Sequence, residues 1–135
     1  MPSRRRQARV SAMQTLFELQ SRTVDPEESL AMNMRELGGS EGVDTAYACS
    51  LVLGVTREMS AIKDALSTHA PEWPFDRMDT LTRSILLIGA YEILFAKDAP
   101  PAVVMNEAIE IAKEYGPAES PKFVNGVLNA IAHRK

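Results

Sequence analysis

The 135-residue sequence predicts an all-helical single domain, six to seven helices in two packed helical bundles. Three observations carry that expectation. Apolar residues recur at three- and four-residue intervals through every long segment, which is the repeat of one helix face. Prolines, together with the glycines at 38, 39, 42 and 116, fall between those segments, where they stop one helix and open the next. The chain is also long enough to bury a core without disulfides or a metal, and its 45% hydrophobic and 24% charged residues match an ordinary globular composition. One domain over 1–135 follows, with helical halves at about 1–70 and 76–135.

Ser3 can cap a helix over about 4–20, in which Val10, Met13, Leu16, Phe17 and Gln20 share a face. Arg4, Arg5, Arg6 and Arg9 ride on the same helix, off the apolar stripe. Asp25, Pro26, Glu27 and Glu28 have the order of a cap, a first-turn proline and acids at the positive end of a second helix carrying Leu30, Met34 and Leu37. Gly38-Gly39-Ser40-Glu41-Gly42 ends it and is expected to be the most flexible loop. From 43 to about 69 the apolar positions Ala48, Leu51, Val52, Val55, Met59, Ile62 and Leu66 predict one long central helix, with Cys49 in its core face. Pro71 and Pro74 break the chain there, and Trp73 and Phe75 should pack over the core. Asp79 or Thr80 then starts a strongly apolar helix running through Phe95. Pro100-Pro101 opens another, to Tyr115, with Ala108, Ile111 and Ala112 inward and Gly116-Pro117 as its stop. In the last helix Ser120 is the expected cap and Pro121 the first turn. Phe123, Val124, Val127, Leu128 and Ile131 form its stripe, up to the basic end His133-Arg134-Lys135.

The formal charge of −3 conceals an asymmetry. Residues 1–22 hold five arginines and one glutamate, a local +4, while 23–135 hold ten bases and seventeen acids, a local −7. That pattern suits a polyanion contact confined to one edge, although a merely solubilising basic tail would have the same charge. No apolar run approaches the roughly 18 residues of a membrane span, and no signal-type stretch follows the arginines, so a cytoplasmic location is expected. The single cysteine excludes an intramolecular disulfide. His69 and His133 are too few and too scattered for a metal site or a catalytic triad. The glycine-rich stretch follows a helix and lacks a Walker lysine. No catalytic residue, metal or cofactor is therefore expected. Glu107, Glu110 and Glu114 share a helical face and read as a solvated or partner-facing stripe. Glu92 and Asn125 sit inside apolar segments, where each would need hydrogen-bond partners tying helices together.

Several blocks then become recognisable together. Arg4-Arg5-Arg6-Gln7-Ala8-Arg9 is followed by Ala12-Met13-Gln14-Thr15-Leu16-Phe17. Later come Ala90-Tyr91-Glu92-Ile93-Leu94, Ala99-Pro100, Met105-Asn106-Glu107-Ala108-Ile109-Glu110-Ile111-Ala112-Lys113 and Ser120-Pro121-Lys122-Phe123-Val124-Asn125-Gly126-Val127-Leu128. In order and spacing the sequence resembles the NusB family over nearly its whole length. That resemblance implies a fold of two helical bundles and no enzymatic activity. It further implies binding of boxA RNA together with ribosomal protein NusE, within an RNA polymerase elongation complex that transcribes ribosomal RNA operons.

By motif position the resemblance assigns RNA contact to Arg4, Arg5, Arg6 and Arg9, and to Lys122 and Phe123 at the start of the last helix. Guanidinium groups suit phosphates and stacked bases, and a phenyl ring suits an unpaired base. Thr82, Leu87 and Glu119 depart from residues common in the family, the first two on the helix expected to face NusE. The competing expectation is a self-associating helical protein, a homodimer closed through the first helix that hides Phe17 and the arginines.

Overall fold

Eight helices and no strand make up the described residues, 3–134, of the computed structural model. They are α1 (Arg4–Ser21), α2 (Pro26–Glu36), α3 (Gly39–Gly42), α4 (Thr45–Arg57), α5 (Met59–His69), α6 (Thr80–Tyr91), α7 (Pro101–Tyr115) and α8 (Ser120–Ala132). A 3-10 turn, Phe75–Arg77, precedes α6, and a turn of π-helix, Glu92–Ala96, extends it. Lys135, the end of the basic terminus, lies outside the described residues. No described helix is long and apolar enough to cross a membrane.

Most boundaries follow local chemistry. Ser3 accepts a hydrogen bond from Arg6 N at 3.0 Å, Asp25 from Glu28 N at 3.0 Å and Asp79 from Thr82 N at 3.0 Å, each satisfying a donor that the first turn leaves open. Asp44 caps α4 in the same way, accepting from Tyr47 N at 3.1 Å.

The count exceeds six to seven for two reasons. The glycine stretch is a helical turn, entered through Gly38 at φ +107°, a left-handed conformation suited to glycine. Glu58 divides the expected long helix. Its backbone sits at φ −99°, ψ 16°, yet Glu58 N still bonds Gly54 O and Ile62 N still bonds Glu58 O, both at 2.9 Å. The helix bends there because its two ends serve different neighbours: α4 packs on α1 and α6, and α5 packs on α6 and α8. The loop at 71–76 therefore does not separate two packing units, since α5 crosses that line. α1 is the hub of one end, against α2, α4 and α6, and α6, α7 and α8 pack on one another at the other.

The core runs through both ends: Val10, Met13, Leu51, Val55, Leu86, Leu87, Leu128 and Ile131 are all at most 1% exposed. Leu87 is thus a core residue, and Thr82, wholly buried, donates its hydroxyl to Asp79 and pairs with the hydroxyl of Ser120 at 2.8 Å. Neither offers its side chain to a partner on the surface. Ser120 accordingly does not cap α8, which starts from Glu119 with no side-chain cap. Two further expectations are corrected. Asn125 is exposed and needs no internal partner, and Cys49 points outward into an apolar groove between α2 and α4 lined by Leu30, Met34, Val52 and Leu53.

Candidate nucleic-acid interface

The four arginines assigned to RNA start α1, and their side chains meet four different fates. Arg4 is exposed; its Nη2 donates to the carbonyls of Ser40, at 2.9 Å, and Val43, at 3.1 Å, stapling the glycine turn to α1. Arg5, with a side chain 40% exposed, lays its guanidinium over the ring of Tyr47, 3.8 Å from the centroid, with Asp98 at 3.7 Å. Arg6 forks onto Glu107 through Nε at 2.8 Å and Nη2 at 2.7 Å. Arg9 is 4% exposed and forks onto Glu92 through Nε and Nη2, both at 2.8 Å.

Arg9 is therefore a correction to the expected surface. It lies on the apolar stripe, in register with Met13, Leu16 and Gln20 at helical spacing, and its donors face the interior. The partner of a buried guanidinium must be a fully satisfied carboxylate, because an unpaired charge inside costs several kcal/mol, on the order of 3 to 5. Glu92 meets that requirement: 2% exposed, it accepts both Arg9 bonds and a third, short one from the hydroxyl of Tyr47. The need of Glu92 for partners was legible in the sequence; Arg9 and Tyr47 as those partners were not.

Protonation follows the geometry. Burial works against the charge on Arg9, but the hydrogen bonds and negative charge of Glu92 outweigh it and hold its pKa above the usual arginine value. Burial, then the bond to Glu92, pushes the Tyr47 phenol well above its ordinary range, so the hydroxyl remains a donor. The hydrogen bond from Arg6 draws Glu107 below the usual carboxylate range, against the opposing effect of burial. Glu107 is thus the partner of Arg6, and it leaves the solvated stripe that Glu110 and Glu114 still form.

Lys122 and Phe123 stand elsewhere. Lys122 is exposed, with no ion pair among the described residues. Phe123 is half-buried, edge-on to Trp73 with centroids 5.6 Å apart, and it borders a cleft with Pro74, Met78 and Pro117. Trp73 in turn lies against Gly126, where a Cβ would come within 2.5 Å of the indole, so α8 needs a glycine there. No hydrogen bond, ion pair or aromatic contact joins this block to the arginines among the described residues. No cluster of three or more histidine, cysteine or carboxylate residues that could hold a metal occurs among them either.

A small helical protein with a cationic helix end, seated on a buried Arg–Glu–Tyr network, is the class that fold and site define. The NusB family model matches residues 6–133. The transcription antitermination protein NusB of Kineococcus radiotolerans is 41% identical over 131 residues, covering 97% of this chain and 94% of that protein, and the NusB of Bacillus pumilus is 38% identical over 128 residues, covering 95% and 94%. Among solved structures, T. maritima NusB superposes with a TM-score of 0.82 at 35% identity over 98% of this chain and 92% of that one. A chain from a complex of antitermination factors NusB and NusE with double-stranded RNA gives 0.80 at 28% identity, over 94% of both. The chain belongs to the NusB family.

Proposed function

We propose that this protein is a transcription antitermination factor that binds boxA-type RNA together with ribosomal protein NusE, without catalysis. It works in the cytoplasm as part of the RNA polymerase elongation complex on ribosomal RNA operons. The observation that carries the reading is family membership over nearly the whole chain, joined to a cationic helix end that bears the arginines to which the motif resemblance assigns RNA contact. The RNA surface comprises Arg4, Arg5, Arg6, Lys122 and Phe123, with Arg9 supporting it from beneath. A solved relative that carries both NusE and RNA supports the same pair of partners.

The chemistry is consistent with that use. Guanidinium and ammonium groups supply salt-sensitive affinity for phosphates, and Phe123 offers part of a ring to an unpaired base. Sequence choice needs base edges as well, which a handful of cations does not read, so NusE contributes specificity. The test is binding of boxA RNA against a scrambled RNA, with and without purified NusE. Specific binding strengthened by NusE is expected, and equal affinity for both RNAs in the presence of NusE would refute the reading.

A second reading, self-association through α1, is favoured by Phe17, which remains 39% exposed on that helix. Sedimentation at increasing protein concentration separates the two: a dimer dissociated by RNA would mean that the same face serves both roles.

A further inference from the structure

Three of the four clustered arginines have N–H donors already engaged: Arg4 on the Ser40 and Val43 carbonyls, Arg6 on Glu107 and Arg9 on Glu92. Arg5 differs. Among the described residues no hydrogen bond engages its guanidinium, and its contact with Asp98 is long and exposed, of a kind that contributes little. The group is held instead by the face of Tyr47, at 3.8 Å from the ring centroid. An aromatic face attracts a cation without consuming any N–H. The rim donors and the outer face of Arg5 stay open to a phosphate oxygen or an unpaired base, the two RNA groups that a guanidinium recognises.

Tyr47 is itself fixed from three directions. It is 7% exposed, its backbone N–H is capped by Asp44, and its hydroxyl donates to Glu92, which Arg9 holds with two further bonds. The backbone N–H of Asp44 donates to Arg4 O at 3.0 Å, so the first turns of α1 and α4 are tied together where ring and guanidinium meet. The ring is therefore a seat whose position is set by the buried network and not by solvent-exposed contacts.

We infer that Tyr47 is a positioning residue for RNA binding: its ring seats the Arg5 guanidinium with donors free and makes Arg5 the leading arginine contact of the surface. The inference rests on the RNA-binding reading above.

Its test is a set of anisotropy titrations of labelled boxA RNA with the full chain and NusE, in parallel with thermal melts. Arg5→Ala should weaken binding about 3- to 30-fold, with no more than the small fall in melting temperature that losing its contact with the Tyr47 ring brings. Tyr47→Leu should weaken binding comparably, and the double variant should bind no worse than the weaker single variant. Tyr47→Phe, which keeps the ring but takes the third donor from Glu92, should weaken binding less than Tyr47→Leu does, and Asp98→Asn should not weaken binding. Additive losses in the double variant, or unaltered affinity of a folded Tyr47→Leu, would overturn the inference. So would a loss in Asp98→Asn as large as that in Arg5→Ala. Should Tyr47→Leu not fold, Arg5→Lys decides. An ammonium lacks the plane and fork, so a loss close to that of Arg5→Ala is expected, and full retention of affinity sinks the seat. If the unaltered protein binds no boxA RNA, the RNA reading falls and takes the inference with it. If it binds and Arg5→Ala is silent, only the inference falls.

Discussion

Arg9 shows how one residue type can serve two purposes within a single turn. Its neighbours Arg5 and Arg6 keep part of their side chains in solvent, whereas Arg9 points inward and is neutralised by Glu92. Arg9→Ala should therefore destabilise the fold by about 3 to 5 kcal/mol, because it leaves Glu92 buried with only Tyr47 as partner, and denaturant unfolding measures this directly. Loss of RNA binding in that variant would be secondary to unfolding. The residue list implied by the motif did not distinguish these roles, since an arginine run names a charge and not a direction; the spacing of Arg9 from Met13 and Leu16 was the available clue. The Arg6–Glu107 pair carries a pH signature. A carboxylate whose pKa is lowered in the folded state adds stability that is present above its unfolded value, about 4.3, and is lost as pH falls through the lower folded value. Glu107→Gln should accordingly flatten the acid limb of a stability–pH curve. It should not abolish that limb, because Glu18, held low by hydrogen bonds from Arg22, Asn33 and Ser29, titrates in the same direction. An unchanged acid limb would show that Glu107 does not prefer its charged form in the fold.

At the level of elements, caps and first-turn prolines made most helix boundaries readable, because those signals are local and their donors must be satisfied nearby. Besides the glycine turn, two features were not readable. The bend at Glu58 has no proline or glycine at the break; both halves keep to α6, but α4 also packs on α1 and α5 on α8. The π-turn after α6 is closed by Lys97 N bonding Glu92 O at 2.9 Å, and it ends with Lys97 at φ 53°, the one non-glycine residue with positive φ among those described. A side chain pays a steric cost there, so Lys97→Gly should stabilise the protein by about 1 kcal/mol, measured as a rise in melting temperature. In α8, whose apolar stripe was legible throughout, Leu128 is fully buried. Leu128→Ala should cost on the order of 2 to 5 kcal/mol. A loss below 1 kcal/mol would mean that the site collapses onto the smaller side chain.

For the whole molecule, the basic end is less bare than its sequence suggested. Glu92, Glu107 and Asp98 come from distant segments to face Arg9, Arg6 and Arg5, and Arg22 lies at the far end of α1 paired with Glu18. With Arg9 excluded, the proposed surface offers Arg4, Arg5, Arg6 and Lys122 to phosphates. The logarithm of RNA affinity should then fall against the logarithm of salt with a slope of about −2 to −3 for single-stranded boxA RNA. A slope beyond about −5 would require cations outside this surface. The buried network has a consequence in time as well as in space. Its members, Arg9, Tyr47 and Glu92, are far apart in sequence, so the seat of Arg5 closes only after Glu92 has left the ribosome and contacts 83 residues apart have formed. Such long-range closure is late and slow compared with formation of α1 itself. A nascent chain thus carries Arg5 well before its seat on Tyr47 exists.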